Sequence, residues 1–92
     1  MRRYRIGEKF LINDNIIVVY LGGEKYVAFE RYCPHLRCDL FKYGVIIGDE
    51  VICQCHFTHF SLKSGNAIKG ATSKSLKIYS VKVNEKGVEL IN

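Results

Sequence analysis

Two short boxes hold the residues able to do chemistry: Cys33-Pro34-His35-Leu36-Arg37-Cys38 and, with seventeen residues between His35 and Cys53, Cys53-Gln54-Cys55-His56. Each box supplies a cysteine and a histidine, spaced C-x-H in the first and C-x₂-H in the second. Thiolate sulfur and imidazole nitrogen in one donor set suit zinc or an iron–sulfur cluster. Zinc sites usually pair like with like, C-x₂₋₄-C and H-x₃₋₅-H, whereas these boxes mix the two types. The mixing fits the usual zinc spacing poorly and leaves an iron–sulfur cluster as the other reading of the donor set. A structural zinc or redox-sensing module is the alternative from a different class.

The boxes resemble those of Rieske-type [2Fe–2S] proteins, and the resemblance extends from the hairpin before Cys33 to the C-terminal strands. It implies one [2Fe–2S] cluster, with Cys33 and Cys53 on one iron and His35 and His56 on the other, nearer solvent. Two thiolates cancel the net charge of two ferric ions and two sulfides, whereas four thiolates would leave the site negative. A neutral oxidised site accepts an electron more readily, which is how histidine in place of cysteine raises the potential. Each imidazole also keeps a second nitrogen for proton exchange, so reduction can couple to pH.

All four cysteines lie in the boxes, and two, Cys38 and Cys55, are not needed as ligands. They stand where Rieske subunits of cytochrome bc complexes carry a disulfide joining the two loops, and the resemblance implies that bond here. A pair of free buried thiols is the alternative for a reducing compartment. The absence of Trp, the single Pro and the many Ile and Lys residues point weakly to a heat-loving source.

High-potential relatives continue the second box as C-H-G-S-x-Y, with Ser and Tyr hydroxyls bonded to cluster sulfurs. This chain reads His56-Phe57-Thr58-His59-Phe60-Ser61. Thr58 retains a hydroxyl, but Phe60 has no donor, so a lower potential is expected. The run from His56 to Gly65, H-F-x-x-F-x-x-x-x-G, is similar instead to the small ferredoxins that feed Rieske non-haem oxygenases. That similarity implies a flavin-containing reductase as donor and a terminal oxygenase as acceptor. Another redox acceptor belongs to the same reading, and a place as the small Rieske subunit of a multi-subunit oxidoreductase is the runner-up. The loop Gly70-Ala71-Thr72-Ser73-Lys74-Ser75 lacks the Pro with which relatives cover the cluster.

Four further residues of the boxes and their surroundings bear on the site. Leu36 follows His35 where related chains shield the cluster with Leu, although it also reads as a plain loop residue. Arg37 replaces a Gly common in relatives and either brings positive charge near the cluster or is solvated. Pro34 stiffens the first loop. His59 is not at a ligand position and reads as a surface residue or a docking contact.

The elements that must position the boxes are strands. Asn15 to Leu21 and Glu24 to Glu30 flank a Gly22-Gly23 turn, and the second of them leads into the first box. Val45 to Ile47 and Glu50 to Ile52 flank Gly48-Asp49 and deliver Cys53. Leu76 to Val83 reads as one partly exposed strand, turning at Asn84 to Gly87 into Val88 to Ile91, while Asp39 to Tyr43 has room for one helical turn. The expected fold is all-β: a single domain whose antiparallel sandwich or barrel base, residues 1–31 and 64–92, carries a cluster-binding insert, residues 32–63.

At 92 residues the core is modest, so metal and disulfide both matter to stability. The longest apolar run, Ile16 to Leu21, is too short to span a bilayer, and the basic opening is followed by no apolar leader segment, so a cytoplasmic location is expected. A net charge of +5 favours an acidic redox partner. With no basic run or interleaved aromatic platform, nucleic acid is not an expected partner.

Overall fold

The apolar run at 16–21 becomes a strand buried on both faces, and the rest of the molecule is layered about it. In the computed structural model, residues 4–33, 37–55, 57–69, 74–85 and 87–91 are described. The first strands are β1 (Lys9–Asn13), β2 (Ile16–Tyr20) and β3 (Tyr26–Glu30). A one-turn helix, α1 (Leu40–Tyr43), leads into β4 (Gly44–Ile47), β5 (Glu50–Cys53), β6 (Thr58–Ser61) and β7 (Ala67–Lys69). β8 (Ile78–Tyr79), β9 (Val81–Asn84) and β10 (Gly87–Leu90) complete the chain.

Three antiparallel sheets result, ordered β1-β2-β3-β8, β4-β5-β6-β7 and β9-β10. Successive side chains of a strand point to opposite faces. On one face of β2, Ile17 and Val19 join Phe29, Val51, Phe60 and the cysteine boxes. On the other, Ile16 and Val18 join Ala28 and pack against Val81, Val88 and Leu90 of the β9-β10 hairpin. Two-sided burial is why β2 reads as a continuous apolar run rather than an alternating one. The fold is all-β, as the sequence implies.

Several details differ from expectation. Gly22-Gly23 does not form a two-residue turn: Tyr20 pairs with Tyr26, and the loop between is closed by Leu21 N–H donating to Lys25 O and Lys25 N–H to Gly22 O. Glu24 and Lys25 are poor strand formers and widen it. Gly48-Asp49 does make the tight hairpin, with Ile47 opposite Glu50. The single strand expected over 76–83 is broken at Ser80, because β8 pairs with β3 whereas β9 pairs with β10. β7, over residues where no strand is expected, joins β4 to β6 and ends that sheet at Lys69.

Gly65, in the turn between β6 and β7, lies against the segment that leads into β8. It has φ +82, and a Cβ there would stand 2.0 Å from Leu76 O. Only glycine allows the two backbones to come this close.

Candidate metal centre

The two boxes fold into loops of the same design. In the first, the Tyr32–Asp39 bridge closes the loop, and Cys33 N–H donates to Cys38 O at 2.8 Å. In the second, Cys53 and Thr58 are directly opposed across the β5-β6 ladder. In each, the amide four residues after the opening cysteine donates back to that cysteine's carbonyl: Arg37 to Cys33 at 2.7 Å and Phe57 to Cys53 at 2.6 Å. That same residue is left-handed in both, Arg37 with φ 57 and Phe57 with φ 55. An L-residue with a side chain costs about 1–2 kcal/mol there.

A disulfide between Cys38 and Cys55, with Cα atoms 6.3 Å apart, ties the loops together. Gln54 N–H also donates to Tyr43 O, which fixes the second loop to the end of α1. Cys33 and Cys53 stay outside the disulfide, both fully buried. The sulfurs of Cys38, Cys53 and Cys55 all lie within 4.8 Å of one another, but two of the three are already bonded to each other and are not cation ligands. His35, His56, Pro34 and Leu36 lie outside the described residues.

Thr58 and Phe60 are fully buried, on the same face of β6, with Thr58 opposite Cys53 and Phe60 opposite Val51. The Thr58 hydroxyl has no hydrogen-bond partner among the described residues, an expensive state for a buried donor. Two buried thiols on adjoining loops, with a hydroxyl beside one of them lacking an acceptor, fit a sulfide-bearing cluster. Such a cluster offers both the metal for the thiols and sulfur acceptors for the hydroxyl.

A polar frame holds the segment between the boxes. Arg31 donates from Nε and Nη2 to the two carboxylate oxygens of Asp39, each at 3.0 Å. Asp39 Oδ1 accepts the Phe41 amide at 3.0 Å and so caps α1. The Arg31 hydrogen bond holds the Asp39 carboxyl below its usual range, against the opposing effect of burial. From β1, Lys9 Nζ donates to Phe41 O at 3.0 Å, Leu40 O at 3.3 Å and Gly44 O. Burial pushes the Lys9 pKa down, and the Asp39 charge opposes this. Lys9 thereby pins α1 to the basal sheet.

Arg37 is exposed, its guanidinium 5.3 Å from the Tyr32 ring centroid, so its charge sits beside the residue that precedes Cys33. His59 is on the opposite face of β6 from Thr58, with Nδ1 3.2 Å from Glu50 Oε1. The sequence reading missed Lys9, Arg31, Asp39 and Tyr32. Asp39 carried a legible signal, since Asp before a helical turn is a preferred N-cap. Lys9 did not: 31 to 35 residues separate it from the carbonyls it holds.

The sequence model of the Rieske [2Fe-2S] domain family matches residues 2–80. The chain belongs to that family. It is a [2Fe–2S] protein, which settles the choice left open between zinc and iron. The Rieske fold here superposes with a TM-score of 0.80 on a chain from the complex of reduced oxygenase and oxidised ferredoxin in carbazole 1,9a-dioxygenase, at 22% identity over 95% of this chain and 91% of that one. It superposes equally well, at 0.80, on the Sphingomonas yanoikuyae B1 ferredoxin, with 20% identity over 94% of this chain and 86% of that one. In sequence, 39 residues are 38% identical to a protein of Mycolicibacterium smegmatis named for the Rieske 2Fe-2S iron-sulfur proteins. The match spans 42% of this Rieske chain but only 8% of that protein's length. Among the described residues no helix is long and apolar enough to cross a membrane.

Proposed function

We propose that the chain is a one-electron carrier of the cytoplasm, without catalytic turnover of its own, whose cluster is ligated by Cys33, Cys53, His35 and His56. The observation that carries this reading is the pair of buried thiols, each opening one of two like-built loops, with the Thr58 hydroxyl beside Cys53 unpartnered among the described residues. When bound, the cluster takes up and releases one electron. The chain's own residues hold its loops together through Cys38–Cys55, exclude water with Phe60 and Val51, and present Arg37 and Phe57 at the surface. The basal part, residues 1–31 and 64–92, carries the cluster-binding insert, residues 32–63, whose sheet is extended by β7.

Likeness to the ferredoxin fold and the F-x-x-F tail support a flavin-containing reductase as donor and a terminal oxygenase as acceptor. The net charge of +5 supports acidic docking faces on both and an encounter that slows as salt rises. The test is electron paramagnetic resonance before and after dithionite, with iron and zinc quantified in the same sample. A silent oxidised form, a low-average-g reduced signal and about two irons per chain are expected for the His/Cys cluster. Stoichiometric zinc with no reduced signal, in protein made under iron-replete anaerobic conditions, overturns the reading.

A further inference from the structure

We infer that Cys53, Cys38 and Cys55 form a thiol–disulfide exchange site that operates when the cluster is absent. Their three sulfurs lie within 4.8 Å of one another, and only two can share a disulfide at a time. Cys53 is the third, buried beside the bond and outside it. Exchange needs an attacking thiolate and access to a disulfide sulfur, and no external oxidant.

The step conserves electrons. Cys53 Sγ attacks Cys38 Sγ; the Cys38–Cys55 bond breaks, a Cys38–Cys53 bond forms, and the proton given up by Cys53 passes to the departing Cys55 sulfur, so that one thiol replaces another. Cys38 is the favoured target because it is buried while Cys55 is exposed, so the leaving sulfur emerges where water solvates its charge. The product keeps a covalent tie between the two loops. It also exposes a thiol at Cys55 open to modification and, on the ligand assignment proposed above, withdraws Cys53 from iron. The chain then switches between a form competent for cluster assembly and a locked one, interconverted without net oxidation.

The experiment uses the full chain, purified with its cluster, stripped of iron by a chelator under argon, and held for hours before acid quench and maleimide labelling. Trypsin cuts after Arg37 and so separates Cys33 from Cys38. Fragmentation between Cys53 and Cys55 then locates the label. A shift of the label from Cys53 to Cys55, with Cys38 linked to Cys53, is expected to grow with time after iron removal. It is expected to persist in Cys33→Ser and to vanish in Cys53→Ser. A Cys38–Cys55 link alone, with Cys53 labelled at every time, overturns the proposal. If exchange occurs but Cys53→Ser still binds two irons, the exchange site stands and the ligand assignment falls.

Discussion

Thr58→Val tests whether the hydroxyl beside Cys53 serves the cluster. The substitution keeps the shape of the side chain and removes only the O–H, at a fully buried position with no hydrogen-bond partner among the described residues. In the metal-free chain the hydroxyl gains nothing, so Val is expected to be neutral or stabilising by about 1 kcal/mol, the cost of an unsatisfied buried donor. If the hydroxyl serves the bound cluster, it would donate to sulfur that becomes more negative on reduction. A hydrogen bond to a charged acceptor exceeds a neutral one by about 1–2 kcal/mol. For a one-electron couple this is roughly 40–90 mV, so the potential of Thr58→Val is expected to fall by that much. Thr58→Ser, which retains the hydroxyl, is expected to stay near the parent. A redox titration followed by visible absorbance reads both. An unchanged potential in Thr58→Val, with a raised unfolding midpoint in the metal-free chain, refutes the reasoning and leaves the hydroxyl as a mere packing defect.

Lys9→Met removes the donor shared by three carbonyls around α1 and is expected to cost roughly 2 kcal/mol net of burial, on the order of 10 °C in the melting midpoint; a change within error means that water replaces it. Cys38→Ser/Cys55→Ser opens a cross-link between cysteines separated by 17 residues and is expected to cost about 3 kcal/mol in guanidinium unfolding without reductant. A much smaller loss means the loops are already locked by Gln54 and the ladder. Because the folded Asp39 carboxyl lies below its ordinary value of 3.8, its ion pair stabilises above that pH and the contribution is lost as pH falls through the folded value. Asp39→Asn, which keeps the helix cap, should therefore melt below the parent at neutral pH and converge with it in acid. A gap that stays constant with pH argues against the ion pair.

The chemistry of the site was legible because cysteine and histidine at fixed spacing announce donors whatever the fold around them. β2 and the 48–49 hairpin were legible because apolar runs and Gly-Asp turns are local signals. What was not legible depends on partners distant in sequence. The alternation across Ile78, Ser80 and Val81 continues smoothly through the point where the chain leaves one sheet for another, so only the pairing of β8 with β3 reveals the break. Phe57 carries no hint of a left-handed backbone, a conformation imposed by the return of its amide to Cys53 O. Lys9 reads as an ordinary strand-surface lysine until α1 is folded against it.

Cys33, Cys38 and Cys53 belong to the same buried cluster as Ile17, Val19 and Phe29 of the basal sheet. Iron retention and global unfolding are therefore thermodynamically linked: whatever loosens the base also lowers affinity for the metal, and metal binding returns that free energy as resistance to unfolding. Core substitutions in the basal sheet, at Val19 for example, will be read out as colour loss. In this chain bleaching reports on the integrity of the whole fold, and a colourless variant does not by itself identify a ligand.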